Sequence, residues 1–241
     1  MQKKESKFEF VKTLAIALIC AGFIRSFFFE PFHIPSSSMK PNLLIGDYLF
    51  VSKYSYGFSR YSFPFGFNLF SGRFWKFSEP QRGDVIVFRL PTNPKINYIK
   101  RLIGLPGDEI KMENGALFIN GKKVKKVFDG TFVEENSLIE NEINKFVETL
   151  PNAKEITVLD QRKTEQDDAG PYLVPAGHYF FMGDNRDNSQ DSRFLDHVGF
   201  VAEENLVGRA NIIFLSSATP IWQIWKWPNN FRFNRFFKKI D

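Results

Sequence analysis

Three serines in a row, bracketed by prolines in Ile34-Pro35-Ser36-Ser37-Ser38-Met39-Lys40-Pro41, are the first residues whose types and spacing could do chemistry. Each proline fixes its own φ and disfavours helix in the residue before it, so the stretch should be extended or turning and could hold a hydroxyl toward a cleft. The same residues would also serve as a polar linker. A serine hydroxyl is a weak nucleophile and must give up its proton to a base as it attacks. Histidine is the usual base, but roughly 16 Å of extended chain and Pro35 separate His33 from Ser38. His197 has nothing beside it that specifies the role. Lysine at its ordinary pKa of about 10.4 is neutral in roughly one molecule in a few thousand at pH 7, so a lysine base must be desolvated. Lys100, in Tyr98-Ile99-Lys100-Arg101-Leu102-Ile103-Gly104-Leu105-Pro106-Gly107-Asp108, sits where strand alternation would turn it inward and Arg101 to the other face, solvated or paired. Alone, it reads equally as an exposed strand-end charge.

A third stretch, Gly183-Asp184-Asn185-Arg186-Asp187-Asn188-Ser189-Gln190-Asp191-Ser192-Arg193, has oxygen donors enough for a calcium loop but lacks the EF-hand spacing and its closing glutamate. Taken together, in order and at similar spacing from about Phe29 to Leu215, the three stretches resemble the bacterial type I signal peptidases, membrane-bound serine proteases that remove signal peptides from exported proteins. The resemblance implies Ser38 as nucleophile and Lys100 as general base. It implies Ser36, with the Ser38 N–H, as oxyanion hole, each such donor worth about 3 kcal/mol in the transition state. Ser189 would orient the Lys100 amine, Asp184 would pair with Arg101, and Asp191 with Arg193. Phe32, Ile34, Met39, Leu43, Val87 and Ile99 would line shallow apolar pockets for small residues one and three places before the cut. The substrate would be extended, adding to the sheet beside residues 84–88. No cofactor and no metal are implied. Ser37 stands where many members carry glycine, and Lys40-Pro41-Asn42 varies a less constrained turn; neither removes a group the mechanism uses.

These residues need elements to position them. A chain of 241 residues that is 43% hydrophobic can bury one sizeable core with a subsidiary lobe. Twelve uncharged residues, 13–24, are too short to cross a bilayer; extended to 8–29 they reach about 33 Å, with Lys12 and Arg25 snorkelling to opposite interfaces. A removable secretory signal has the same outline, but the aromatic exit Phe27-Phe28-Phe29 favours a lasting anchor. Lys3, Lys4, Lys7 and Lys12 place residues 1–7 in the cytoplasm and 30–241 outside. The single cysteine, Cys20, excludes an internal disulfide and reads as a buried helix residue.

Beyond the anchor, short strands with turn punctuation predict a mainly β catalytic region, its core at about 30–108 and 172–216, with an inserted β-lobe at about 109–171. Asn114-Gly115 and Asn120-Gly121 are hairpin signals. Residues 129–168 are polar and weakly periodic, and no firm structure is assigned to them. Residues 54–77 hold eleven aromatics in twenty-four positions, with alternation at Tyr61, Phe63, Phe65 and Phe67. They read either as a hairpin in the core or as a lipid-facing patch. The tail, 217–241, interleaves three tryptophans and four phenylalanines with Lys226, Arg232, Arg235, Lys238 and Lys239. It suits a membrane interface, with a single-stranded nucleic-acid platform as the rival.

The net charge of +5 would permit a nucleic-acid partner, but the cations are scattered and no zinc-finger or basic-zipper pattern is present, so none is expected. The expected partners are signal-peptide-bearing preproteins and membrane lipid, and the expected location is the bacterial plasma membrane, crossed once. A non-enzymatic, membrane-tethered peptide-binding adaptor is the alternative. A self-cleaving Ser/Lys repressor would carry a DNA-binding domain in place of the apolar helix.

Overall fold

The structure, a computed structural model, describes residues 7–62, 72–133, 142–219, 223 and 230–241. Helix α1, Lys7–Phe27, opens it. Its residues Phe8–Phe27 are long and apolar enough to cross a membrane. The helix ends before Phe29 because Phe29–His33 already pairs as a strand. Cys20, expected in a packed interior, is exposed, since α1 is buried only near its end, at Ser26 and around Phe27, whose ring lies 5.4 Å from that of Phe58.

Strands follow: β1 Phe29–His33, β2 Asp47–Ser52, β3 Phe58–Ser59, β4 Arg73–Phe74, β5 Val85–Leu90, β6 Asn93–Gly104, β7 Glu109–Glu113, β8 Ala116–Ile119, β9 Lys122–Lys123, β10 Lys125–Val133, β11 Glu142–Thr149, β12 Glu155–Leu159, β13 Ala169–Leu173, β14 His178–Met182, β15 Val201–Ala202, β16 Leu206–Ser216 and β17 Lys238–Lys239. The architecture is mainly β, as the turn-punctuated pattern predicts. The large sheet runs β1-β2-β16-β5-β6-β14-β15, with β17 added to β16.

β5 shows why its sequence is an unbroken apolar run. Val85 and Val87 pack with Ile34, Met39, Leu43 and Leu49 on one face, and Ile86, Phe88 and Leu90 pack with Leu102, Phe181 and Leu206 on the other. It also lies inside the sheet, bonded to β16 and β6, so an edge beside residues 84–88 is not open to a substrate. The open edge is on β6. That strand pairs with β5 from Asn93 to Arg101, but β14 pairs with it only from Arg101 to Gly104.

Two smaller sheets come from the polar middle of the chain. β13-β7-β8-β9 is one, with Asn114 and Gly115, then Asn120 and Gly121, all at positive φ, as tight hairpin turns demand. β10-β11-β12 is the other; it occupies much of 129–168, to which the sequence alone assigns no firm structure, inside the β-lobe expected at about 109–171. β10 is largely exposed and β11 mostly half-buried, neither with a clean period of two, while β12 buries Ile156, Val158 and Leu159.

In the aromatic stretch β3 pairs with β4, Phe58 opposite Phe74. Tyr61 lies in a 3-10 turn rather than a strand, and Phe63, Phe65 and Phe67 lie outside the described residues. Tyr56 and Phe58 are buried whereas Trp75 and Phe77 are exposed. The tail, expected to suit a membrane interface, leaves Phe233, Phe237, Lys238 and Lys239 exposed but docks in part. Trp222, Trp225, Lys226 and Trp227 lie outside the described residues, but 230–241 folds back onto the large sheet. Arg235 pairs with the fully buried Asp47, and Ile240 joins the core. A carboxylate buried at Asp47 requires such a cation.

Candidate active site

The serine turn leaves β1 after His33 and is held at both ends by backbone bonds. Ile34 N donates to Asp47 O at 2.8 Å and Leu43 N to Met39 O at 2.8 Å. This puts Ser38 into the floor of a cleft of about 580 Å³ lined by Pro35 to Ser38, by Ile96 to Lys100 on β6, and by Asp187 to Gln190 with Phe194. The three stretches singled out in the sequence therefore converge on one cavity.

At its centre Lys100 Nζ lies 2.7 Å from Ser38 Oγ, and 3.1 Å from the Ile99 carbonyl oxygen. Ser38 is 6% exposed and Lys100 4%. Burial lowers the Lys100 pKa to about 8 against the opposing pull of Asp191 and Asp184. Its amine also sits 5.1 Å over the Tyr98 ring. Ser36 Oγ is 3.3 Å from Ser38 Oγ.

Ser189 faces the same cleft and is buried, but its hydroxyl makes no regular hydrogen bond, to Lys100 or to any other described residue. It lies close enough to Asp191 to help hold that carboxyl below its ordinary range. Asp191 is set against its own burial chiefly by Arg193. The expected bond from Ser189 to Lys100 is thus absent; the amine bonds Ser38 Oγ and the Ile99 carbonyl oxygen. Gly183 keeps this corner tight. A Cβ there would stand 2.6 Å from Ser38 O and collide with Ser189 Oγ.

The supporting pairs form as expected. Arg101 meets Asp184 through two bonds of 2.7 and 2.8 Å, and also donates to Gly83 O and Asp241 O. Arg193 meets Asp191 at 2.9 and 3.0 Å. Arg101 is buried and paired rather than solvated. Of the six pocket residues, Ile34, Met39, Leu43 and Val87 are almost wholly buried in one apolar cluster, with Phe32 and Ile99 partly buried against it. Only Ile99 of the six lines the cleft; Ile34, Met39, Leu43 and Val87 form the apolar cluster against which Ile99 and Phe32 pack.

Several residues that hold the site have no signal in the sequence. Glu148 on β11 pairs with Arg186 at 2.7 and 2.6 Å, and the Arg186 carbonyl accepts from Arg193. Asn42, in a turn expected to be loose, donates to both Asp184 Oδ2 and Thr157 O at 2.8 Å. A bidentate acid in a polar strand cannot be matched to its arginine without the fold. Asp184 and Asp191 are taken by arginines, while Asp187 instead meets Asp160 and Asp167, their oxygens within 4.8 Å of one another.

Fold and cleft together define a β-rich peptidase of the serine type. Comparison with known proteins gives the particular family. A family model described as signal peptidase, peptidase S26, matches residues 7–215. A signal peptidase I of Rickettsia typhi (strain ATCC VR-144 / Wilmington) is 38% identical over 98% of this chain and 94% of its own. One of Rickettsia canadensis (strain McKiel) is 38% identical over 95% and 92%. A crystal structure of a signal peptidase I from Enterococcus faecalis V583 aligns with 55% of this chain and 97% of its own at 28% identity, with a TM-score of 0.32. The chain belongs to the signal peptidase family, and is therefore a hydrolase rather than a non-enzymatic adaptor.

Proposed function

We propose that this chain is a membrane-anchored endopeptidase that removes signal peptides from exported preproteins, with Ser38 as nucleophile and Lys100 as base. The observation that carries the reading is the 2.7 Å approach of Lys100 Nζ to Ser38 Oγ, with both residues buried. As Ser38 Oγ attacks the scissile carbonyl carbon, its proton passes to the neutral Lys100 amine, which hands it to the departing amine of the mature protein. The acyl-enzyme ester is then cut by water, whose proton goes to Lys100 and on to Ser38 Oγ as the acid leaves. Ser36 Oγ and the Ser38 N–H are the oxyanion donors, and Ser189 steadies the amine once Ser38 has been acylated.

The extended substrate lies along the unpaired edge of β6 at residues 96–99, which faces the serine turn across the cleft. There its main chain gains ladder bonds that a folded protein has already spent. Ile99 and the apolar wall behind it limit the neighbouring subsite to small side chains. Helix α1 crosses the bilayer once with its lysine-rich start in the cytoplasm, and lipid meets the exposed Phe28, Trp75 and Phe77.

The test is cleavage of a labelled preprotein by the purified full-length protein, with N-terminal sequencing of the product. Ser38→Ala and Lys100→Met should each fold and lose cleavage. Activity retained in either one retires the assignment.

A further inference from the structure

The serine turn is fastened to the segment that carries Ser189 by several bonds, and apart from that of Asn42 to Asp184, one among the described residues uses a side chain of the turn. Asn185 N donates to Ser38 O at 3.0 Å and Asn185 Nδ2 to Ser37 O at 3.2 Å. Both accept at main-chain oxygens and survive any side chain at 37. The remaining one is Asn188 Nδ2 donating to Ser37 Oγ at 2.7 Å. It joins the residue just before Ser38 to the residue just before Ser189, across the cleft that both line.

We propose that Ser37 is a positioning residue, a latch that holds the oxyanion donors in place. This rests on the Ser38/Lys100 reading above. Ser36 Oγ and the Ser38 N–H flank Ser37, and in a trans peptide the C=O and N–H point in opposite directions. The plane that carries Ser37 C=O therefore aims Ser38 N–H, and rotation of residue 37 would swing both donors away from the developing oxyanion. Asn185 fixes that plane on its carbonyl side, and the Ser37 hydroxyl on Asn188 fixes the residue that precedes it. Ser37 is half-buried and Asn188 exposed, so the bond is open to water and adds little to overall stability. Its value lies in alignment, where small misplacements are expensive for the reaction.

The test is a double-mutant cycle on the full-length protein, with Ser37→Ala, Asn188→Ala and the pair, read by preprotein cleavage and by thermal unfolding. Each single change should lower kcat about tenfold with KM and Tm held, since only transition-state contacts are lost. The pair should be no worse than either single change, because both remove one bond. An unchanged kcat, additive losses, a rise in KM without a fall in kcat, or a loss that tracks Tm each overturns the latch. Ser38→Ala, run alongside, separates the two readings. If it is inactive while Ser37→Ala is unimpaired, only the latch falls; if it still cleaves, the nucleophile assignment falls with it.

Discussion

Glu148 and Arg186 meet through two bonds of 2.7 and 2.6 Å with side-chain exposures of 0% and 2%, joining a strand of the polar middle of the chain to the loop that carries Ser189. Removing the acid strands a buried guanidinium. Glu148→Ala should therefore lose about 3–5 kcal/mol of stability, measured by urea unfolding. Glu148→Leu combined with Arg186→Met should recover much of it. A double variant no more stable than the single would remove the pair as the cause.

The proposed role of Lys100 as base carries an expected pH dependence of cleavage. Its amine acts as a base only when neutral, and burial lowers its pKa to about 8. On the acid side kcat/KM should fall about tenfold per pH unit below that value. A profile flat from pH 6 to 9 would exclude Lys100 as the base.

Stability should run the opposite way from what a buried ion pair would give. The folded-state pKa of Lys100, about 8, lies below its ordinary value of 10.5, so folding disfavours the ammonium. The penalty is fully present below about pH 8 and gone above 10.5, and stability from this group rises between them. A shift of that size is worth ~3 kcal/mol. Lys100→Met should unfold at a temperature several degrees higher near neutral pH, with the gap closing by pH 10.5. Equal Tm values at neutral pH would show the amine to be hydrated.

Gly183 tests the packing of the catalytic corner. A methyl group there would press on Ser38 O and on Ser189, so Gly183→Ala should cut kcat about a hundredfold. Wild-type kinetics in this variant would mean that the corner has room to yield.

Strand addition to β6 carries its own signature. In an antiparallel or parallel ladder a substrate's N–H groups alternate between bonded and free. Methylating successive amides of a peptide substrate should raise KM about tenfold at every second position and little between. A uniform effect along the peptide would count against the β6 edge.

Much of the fold was readable in the sequence where the signal is local. The apolar run of β5, the Asn-Gly turns around β8 and the span of α1 each declare themselves within a dozen residues. The strands β10 to β12 do not, because they are half-exposed and held by ladders to partners that no local period reveals. The exposure of Cys20 is hidden for a related reason: an apolar helix reads the same in sequence whether or not protein packs around it. The docking of Arg235 is hidden in the sequence because Asp47, its buried partner, lies far away in the chain.

By itself the sequence determined which groups could react, since three motifs in fixed order name a hydroxyl, an amine and the acids and arginines around them. The tertiary structure alone decided that the amine reaches the hydroxyl, that it is buried there, and which strand edge stays open. Those properties belong to the surroundings of a residue, which are built from segments remote in the chain, and the pKa of a lysine falls only once such segments have closed around it.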